Sequence, residues 1–182
     1  MFRALSVLVF RVIGWRVIDH RPDPSVQAIY VVAPHTSNWD FIIGVLARSI
    51  ARLGHARYLA KKQLFVWPIG WLFRALGGYP VDRSKHMNLT DQVVGYFRGI
   101  PGFSIAITPE GTRKQVKTWK TGFWRIAKAA NVPVILTSFD YARKEVTLRE
   151  PYHVSDDMEK DIAWMMDYFK RFRGKNAEHG VV

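Results

Sequence analysis

Apolar positions along this chain alternate between short continuous runs and helical spacing. Ala28–Ala33 is an apolar, partly β-branched run closed by Pro34, which predicts a buried strand. Ser37 is placed to cap a helix whose spacing continues through Arg52 and stops near Gly54. Ala56–Ala60 and Gly78–Val81 predict extended segments, Asn88–Phe97 a helix with Leu89, Val93 and Phe97 on one side, and Phe103–Ile107 another strand. A helix over Thr121–Ala130, a strand over Val132–Phe139 and a last strand around Val146–Leu148 follow. The terminal helix has Ser155 as its expected cap, acids in its first turn and Lys170, Arg171 and Arg173 in its last, which complements the helix dipole. Met158, Ile162, Met165, Phe169 and Phe172 form its packing stripe. Strands alternating with helices predict one α/β domain with a helix-covered sheet.

Two apolar stretches stand outside that alternation. Met1–Ile18 is interrupted by Arg3, Arg11 and Arg16, and its longest uncharged run is seven residues, too short to span a bilayer. It reads as an amphipathic helix that either lies on an anionic membrane or packs on the domain. A division follows into an amphipathic, membrane-contact segment over 1–20 and the main domain over 21–182. Gln63–Phe73 is uncharged for eleven residues and holds Trp67 and Trp71 between Lys61, Lys62 and Arg74. Pro68 and Gly70 break any long helix there, leaving an interfacial segment or a piece of core.

Composition sharpens the picture. The 182 residues contain no cysteine, which excludes a disulfide framework, a thiolate metal site and a cysteine nucleophile. The formal charge is +12, and nine of the fifteen acids lie beyond Phe139. The preceding part is therefore strongly cationic and suited to anionic partners. No acid falls between Asp40 and Asp82, nor between Glu110 and Asp140, where Arg113, Lys114, Lys117, Lys120, Arg125 and Lys128 lie. Asp40, Asp82 and Glu110 border these basic stretches, as partners of a nearby Arg or as working carboxylates.

Three segments could carry chemistry. In Pro34-His-Thr-Ser-Asn-Trp-Asp40, His35 leaves a strand end and Asp40 lies one turn into the next helix. An aspartate there can fold back on the imidazole and fix its tautomer, leaving the other nitrogen to take a proton from a hydroxyl. The alternative is a capped helix with a hydrogen-bonded histidine, and no second histidine nearby suggests a metal. Thr108-Pro-Glu-Gly-Thr-Arg-Lys114 offers Glu110, Gly111, Thr112 and Arg113 after a strand, as an anion-gripping turn or an ordinary exposed one. Gly77-Gly-Tyr-Pro-Val-Asp-Arg83 delivers Arg83 from an extended segment.

Taken in order, His35-x4-Asp40, Gly78–Arg83, Pro109–Arg113 and Val132–Ile135 resemble the glycerolipid acyltransferase family, whose bacterial members include the 1-acyl-glycerol-3-phosphate (lysophosphatidate) acyltransferases. The resemblance implies a mixed β-sheet covered by helices, with His35 as general base on an acceptor hydroxyl and Asp40 as its orienting partner. It implies direct attack on an acyl carrier protein or coenzyme A thioester, with no acyl-enzyme, cofactor or metal. Arg83 and Arg113 would bind the acceptor's phosphate, Glu110, Gly111 and Thr112 would shape that pocket, Lys61 is a further candidate, and Val132, Pro133 and Val134 would pack at the acyl or acceptor end. Its partners would be a lyso-lipid and an anionic membrane surface rather than nucleic acid, with peripheral attachment to the cytoplasmic face of the inner membrane. A non-catalytic basic module that binds anionic lipid is the alternative; it needs only the charge and the aromatics.

Overall fold

The computed structural model describes residues 2–68, 70–81 and 89–182. Its elements run α1 (Phe2–Ile13), β1 (Arg16–Asp19), β2 (Ile29–Ala33), α2 (Trp39–Ile50), β3 (Ala56–Lys61), α3 (Gly70–Ala75), β4 (Gly78–Val81), α4 (Leu89–Gly99), β5 (Ser104–Ile107), α5 (Gly122–Ala130), β6 (Val134–Asp140), β7 (Glu145–Leu148) and α6 (Met158–Lys170). The strands form one sheet in the order β1-β7-β6-β2-β5-β3-β4. Every pairing is parallel except β6–β7, so the sheet is mixed, as expected from the family resemblance.

Side chains alternate across a strand, so a run that is apolar at every position must bury two faces. In β2, Ile29, Val31 and Ala33 face a core shared with Ile105, Val134 and Leu136 and covered by Phe97, Phe123, Met165 and Phe169 from α4, α5 and α6. Tyr30 faces the opposite core with Ile135, Phe139, Val146 and Leu148, covered by Phe10, Ile43 and Ala47 from α1 and α2. β6, beside β2, is buried at all seven positions.

The structure departs from the sequence reading at both ends. The N-terminal helix ends at Ile13, Gly14 turns the chain at φ +75°, and Trp15 is buried. Arg16–Asp19 then joins the sheet beside β7, so residues 1–20 are not a helix appended to the domain. A four-residue strand with two apolar positions is too short to show its own period next to an apolar helix. Ser155 does not cap α6. The cap is Asp157, which accepts the Lys160 N–H at 3.0 Å, while Ser155 donates its N–H and hydroxyl to the buried carboxylate of Asp161 at 2.8 and 2.9 Å. Of the expected stripe, Met165 and Phe169 are fully buried.

Phe169 packs on Trp119, Tyr168 and Phe172 with ring centroids 5.6, 5.0 and 6.3 Å away. Truncating a buried phenylalanine removes its transfer free energy and leaves a cavity, so Phe169→Ala is expected to cost about 3–5 kcal/mol. Urea unfolding measures the loss directly, and a loss below about 1 kcal/mol would mean that α6 is not anchored as described.

Candidate active site

In a parallel sheet, side chains leaving the carboxyl ends of neighbouring strands converge on one edge. Here β2 ends at Ala33 and its hydrogen-bonded neighbour β5 ends at Ile107. The two following loops therefore lie side by side, and the Glu110 carboxylate accepts the His35 backbone N–H at 2.8 Å.

His35 Nδ1 lies 3.1 Å from Asp40 Oδ2, which also accepts the N–H groups of Thr36 and Ser37, each at 2.8 Å. Asp40 Oδ1 accepts the Tyr141 hydroxyl at 2.7 Å. Burial alone would push this carboxyl up. The hydrogen bonds from His35, Tyr141 and the two backbone N–H groups outweigh that effect and hold Asp40 below the usual carboxylate range. Its place in the first turn of α2 favours the same charged form. An ionised Asp40 facing Nδ1 selects the tautomer with the proton on that nitrogen. Nε2 is then the basic nitrogen available to a substrate. Ser37 does not cap α2; its hydroxyl accepts the Trp39 N–H at 3.2 Å, and the cap position is Asn38, without a side-chain bond.

Glu110 is 5% exposed, and burial raises its carboxyl from about 4.5 to about 7. Beside it Gly111 adopts φ +64°, a conformation that favours glycine, and a Cβ there would meet the Lys120 ammonium at 2.6 Å. The backbone of this turn thus approaches a cation closely. His35, Asp40, Gly111, Arg113 and Lys120 all line a cavity of about 920 Å³, whose other walls include Val32, Phe41, Val45, Tyr58, Leu76 and Ala106. A base, cations and an apolar wall share one cavity.

The structure does not gather every expected residue there. Thr112 is exposed and its hydroxyl accepts the Lys114 N–H at 3.3 Å. Val132, Pro133 and Val134 pack but do not line the cavity; Pro133 accepts the Ile29 N–H, and Val134 pairs with Ile29 at the start of β2, opposite the end that carries His35. Their expected place at the acyl or acceptor end is therefore corrected to packing alone. Arg83 lies outside the described residues, and Lys61 is described only as the last residue of β3. Lys120 and Tyr141 were not singled out from the sequence. Lys120 stands in the acid-free stretch after Glu110, which was a usable signal, whereas Tyr141 is 101 residues from the carboxylate it contacts and left none.

A family model described as acyltransferase matches residues 16–139. Among curated proteins, sequence comparison returns no match. Among solved structures, the chain is similar to the 1-acyl-sn-glycerophosphate (LPA) acyltransferase PlsC from Thermotoga maritima, with a TM-score of 0.63 and 21% identity, covering 93% of this chain and 76% of that one. At that identity the likeness establishes a shared fold.

The raised Glu110 carboxyl makes stability depend on pH. Between about 4.5 and about 7 the fold keeps a proton that the unfolded chain has released, so stability falls as pH rises through that window. Glu110→Gln keeps an acceptor oxygen for His35 and removes the titration. Relative to the variant, the wild type should lose up to about 3 kcal/mol across the window. Unfolding curves for both proteins at several pH values test this; parallel pH dependence would contradict it.

Proposed function

The chain belongs to the acyltransferase family, and we propose that it transfers a fatty acyl group from an acyl-thioester to a hydroxyl of a lysophosphatidate-like acceptor in phospholipid synthesis. The observation that carries this reading is the His35–Asp40 pair, 3.1 Å apart, on a cavity that also has cationic and apolar walls. In the reaction His35 Nε2 removes the proton from the acceptor hydroxyl as its oxygen attacks the thioester carbonyl carbon. Asp40 stabilises the imidazolium that forms. The tetrahedral adduct then collapses, the carbon–sulfur bond breaks, and the imidazolium returns the proton to the departing thiolate. No bond to the enzyme is needed, which suits a chain without cysteine.

Arg113 and Lys120 are suited to the acceptor's phosphate, with Arg83 and Lys61 as further candidates, and the apolar wall to the acyl chain. Glu110 serves this arrangement by fixing the His35 backbone rather than by touching the phosphate. Because burial raises its ionisation to about 7, Glu110 is only partly charged at neutral pH, which lessens its repulsion of a bound anion. The donor is an acyl carrier protein or coenzyme A conjugate.

The enzyme would work as a peripheral protein on the cytoplasmic face of an anionic inner membrane. Among the described residues no helix is long and apolar enough to cross a membrane. Yet α1 leaves Phe2, Leu5, Leu8 and Val12 exposed, and Trp67 and Trp71 are 91% and 68% exposed, so both tryptophans reach the surface while Phe65 beside them is buried. Apolar surface bordered by Arg3, Arg11, Arg52 and Arg74 suits a lipid interface.

Purified protein offered lyso-lipid acceptors and both thioester donors should transfer acyl groups. His35→Ala, with an unchanged circular dichroism spectrum, should lower kcat by roughly 10²–10⁴-fold, and Arg113→Ala should act chiefly on the acceptor's KM. Absence of transfer to any acceptor, with vesicle binding equal in wild type and His35→Ala, would favour the non-catalytic lipid-binding module instead.

A further inference from the structure

Asp40 Oδ1 has one hydrogen-bond donor among the described residues, the Tyr141 hydroxyl at 2.7 Å. Tyr141 lies just past β6 and beyond the segment matched by the family model. Two contacts of its own and the turn that carries it fix Tyr141. Its N–H donates to the Arg173 carbonyl at 2.8 Å, its ring meets Trp15 edge-on with centroids 4.9 Å apart, and the preceding Asp140 holds the turn by accepting the Ala142 and Arg143 N–H groups at 3.0 and 3.2 Å. Such a side chain is built to present its hydroxyl to one place.

The segment that anchors Tyr141 also holds the other side of the dyad. Beyond Arg173 the chain crosses the His35 loop so closely that a Cβ on Gly174 would meet Thr36 Cγ2 and Oγ1 at 2.6 Å. Asn176 donates its N–H to Thr36 Oγ1 at 3.2 Å and its side-chain amide to the Thr36 carbonyl at 2.9 Å. Elements outside the family blocks therefore grip both the loop and the carboxylate.

We infer that Tyr141 is a positioning residue for acyl transfer: it pins Asp40 Oδ1 so that Oδ2 stays aimed at His35 Nδ1, and it draws part of the carboxylate's charge away from the imidazole. The inference rests on the acyl-transfer reading for its kinetic consequence, but not for its electrostatic one. A tyrosine buried against a carboxylate keeps its proton, because burial and the neighbouring Asp40 both push its ionisation up, so it donates throughout the working pH range. Of the other ionisable groups around the dyad and its cavity, Glu110 accepts the His35 N–H, and Arg113 and Lys120 line the cavity. Arg48 is bonded to the Gly54 and Ala56 carbonyls at the start of β3, Arg57 and Tyr58 line the cavity from that strand, and Lys175 lies over the Trp39 ring at 4.6 Å. None of these supplies a hydrogen bond to Oδ1.

Tyr141→Phe keeps the ring on Trp15 and deletes the donor. The variant's kcat should fall on the order of ten-fold, a fraction of what a positioned base supplies, with KM for the acceptor little changed. The acid limb of kcat/KM, which reports the dyad as a unit, should move to higher pH because the carboxylate has become more basic. In Asp40→Asn the same substitution should add almost nothing, since both changes act through one group. Carbon NMR of the Asp40 carboxyl supplies a readout independent of turnover and should show it titrating at higher pH in Tyr141→Phe than in wild type, with melting curves confirming the fold. An inactive wild type would overturn the acyl-transfer reading while the NMR shift stood. An active wild type with unmoved acid limb and unmoved Asp40 titration, or multiplicative losses in the double variant, would overturn the role of Tyr141.

Discussion

Asp40 must be satisfied before this site can exist. It is a carboxylate 2% exposed, and leaving such a charge unpaired in a protein interior costs several kcal/mol. The fold meets that demand from two separate segments: the loop after β2, with the N–H groups of Thr36 and Ser37 and the imidazole of His35, and the end of β6, which delivers a tyrosine hydroxyl. Each donor also constrains its own segment. The loop between β2 and α2 cannot shift without uncovering Oδ2, and β6 cannot slide along β2 without uncovering Oδ1. The same bonds that make burial tolerable therefore set the angle at which the histidine meets the cavity.

This dependence explains the sheet's order as far as the site is concerned. β2 lies between β5 and β6, so its loop can receive Glu110 from one side and Tyr141 from the other. Neither neighbour adjoins β2 in sequence. The parallel arrangement of these three strands brings all their carboxyl ends to one edge, where a base, a buried acid and a glycine turn meet. The antiparallel β6–β7 pair then turns the chain back beside Trp15, and the tail after α6 returns over Thr36.

Local pattern reveals what is set locally. The strand runs at Ala28–Ala33 and Phe103–Ile107 were legible because they are apolar at nearly every position, the helix after Ser37 because its burial recurs along one face, and the His35–Asp40 pair because four intervening residues place it at one strand–helix junction. What stayed hidden is set by distance in sequence. Strand order could not be read, nor could β1, whose pairing with β7 joins residues far apart in the chain. The caps were misplaced for a related reason: Ser155 stands where a cap would, yet its hydroxyl is drawn to Asp161, which the same first turn buries against Trp124 and Tyr152. A polar side chain with two possible partners chooses by tertiary context, which the spacing of residues does not contain. Tyr141 is the extreme case, a residue with no local signature whose partner is fixed by topology alone.

The uneven charge acquires a spatial meaning on this fold. The cationic part of the chain supplies α1, α2 and α3, with their exposed apolar positions, while the acid-richer part supplies β7 and α6. α1 and α2, in which Asp40 is the one acid, cover one face of the sheet, while α6 shares the other face with α4 and the basic α5. The apolar cavity wall comes partly from that cationic side, through Phe41, Val45 and Leu76. A protein that met an anionic bilayer with α1 and the Trp67–Trp71 segment would therefore bring the apolar wall and the lipid to the same side. An acyl chain could then leave the bilayer and reach His35 with little of its length exposed to water. At roughly 0.8 kcal/mol for each methylene kept from water, that geometry would favour long-chain substrates far more than any single polar contact at the phosphate.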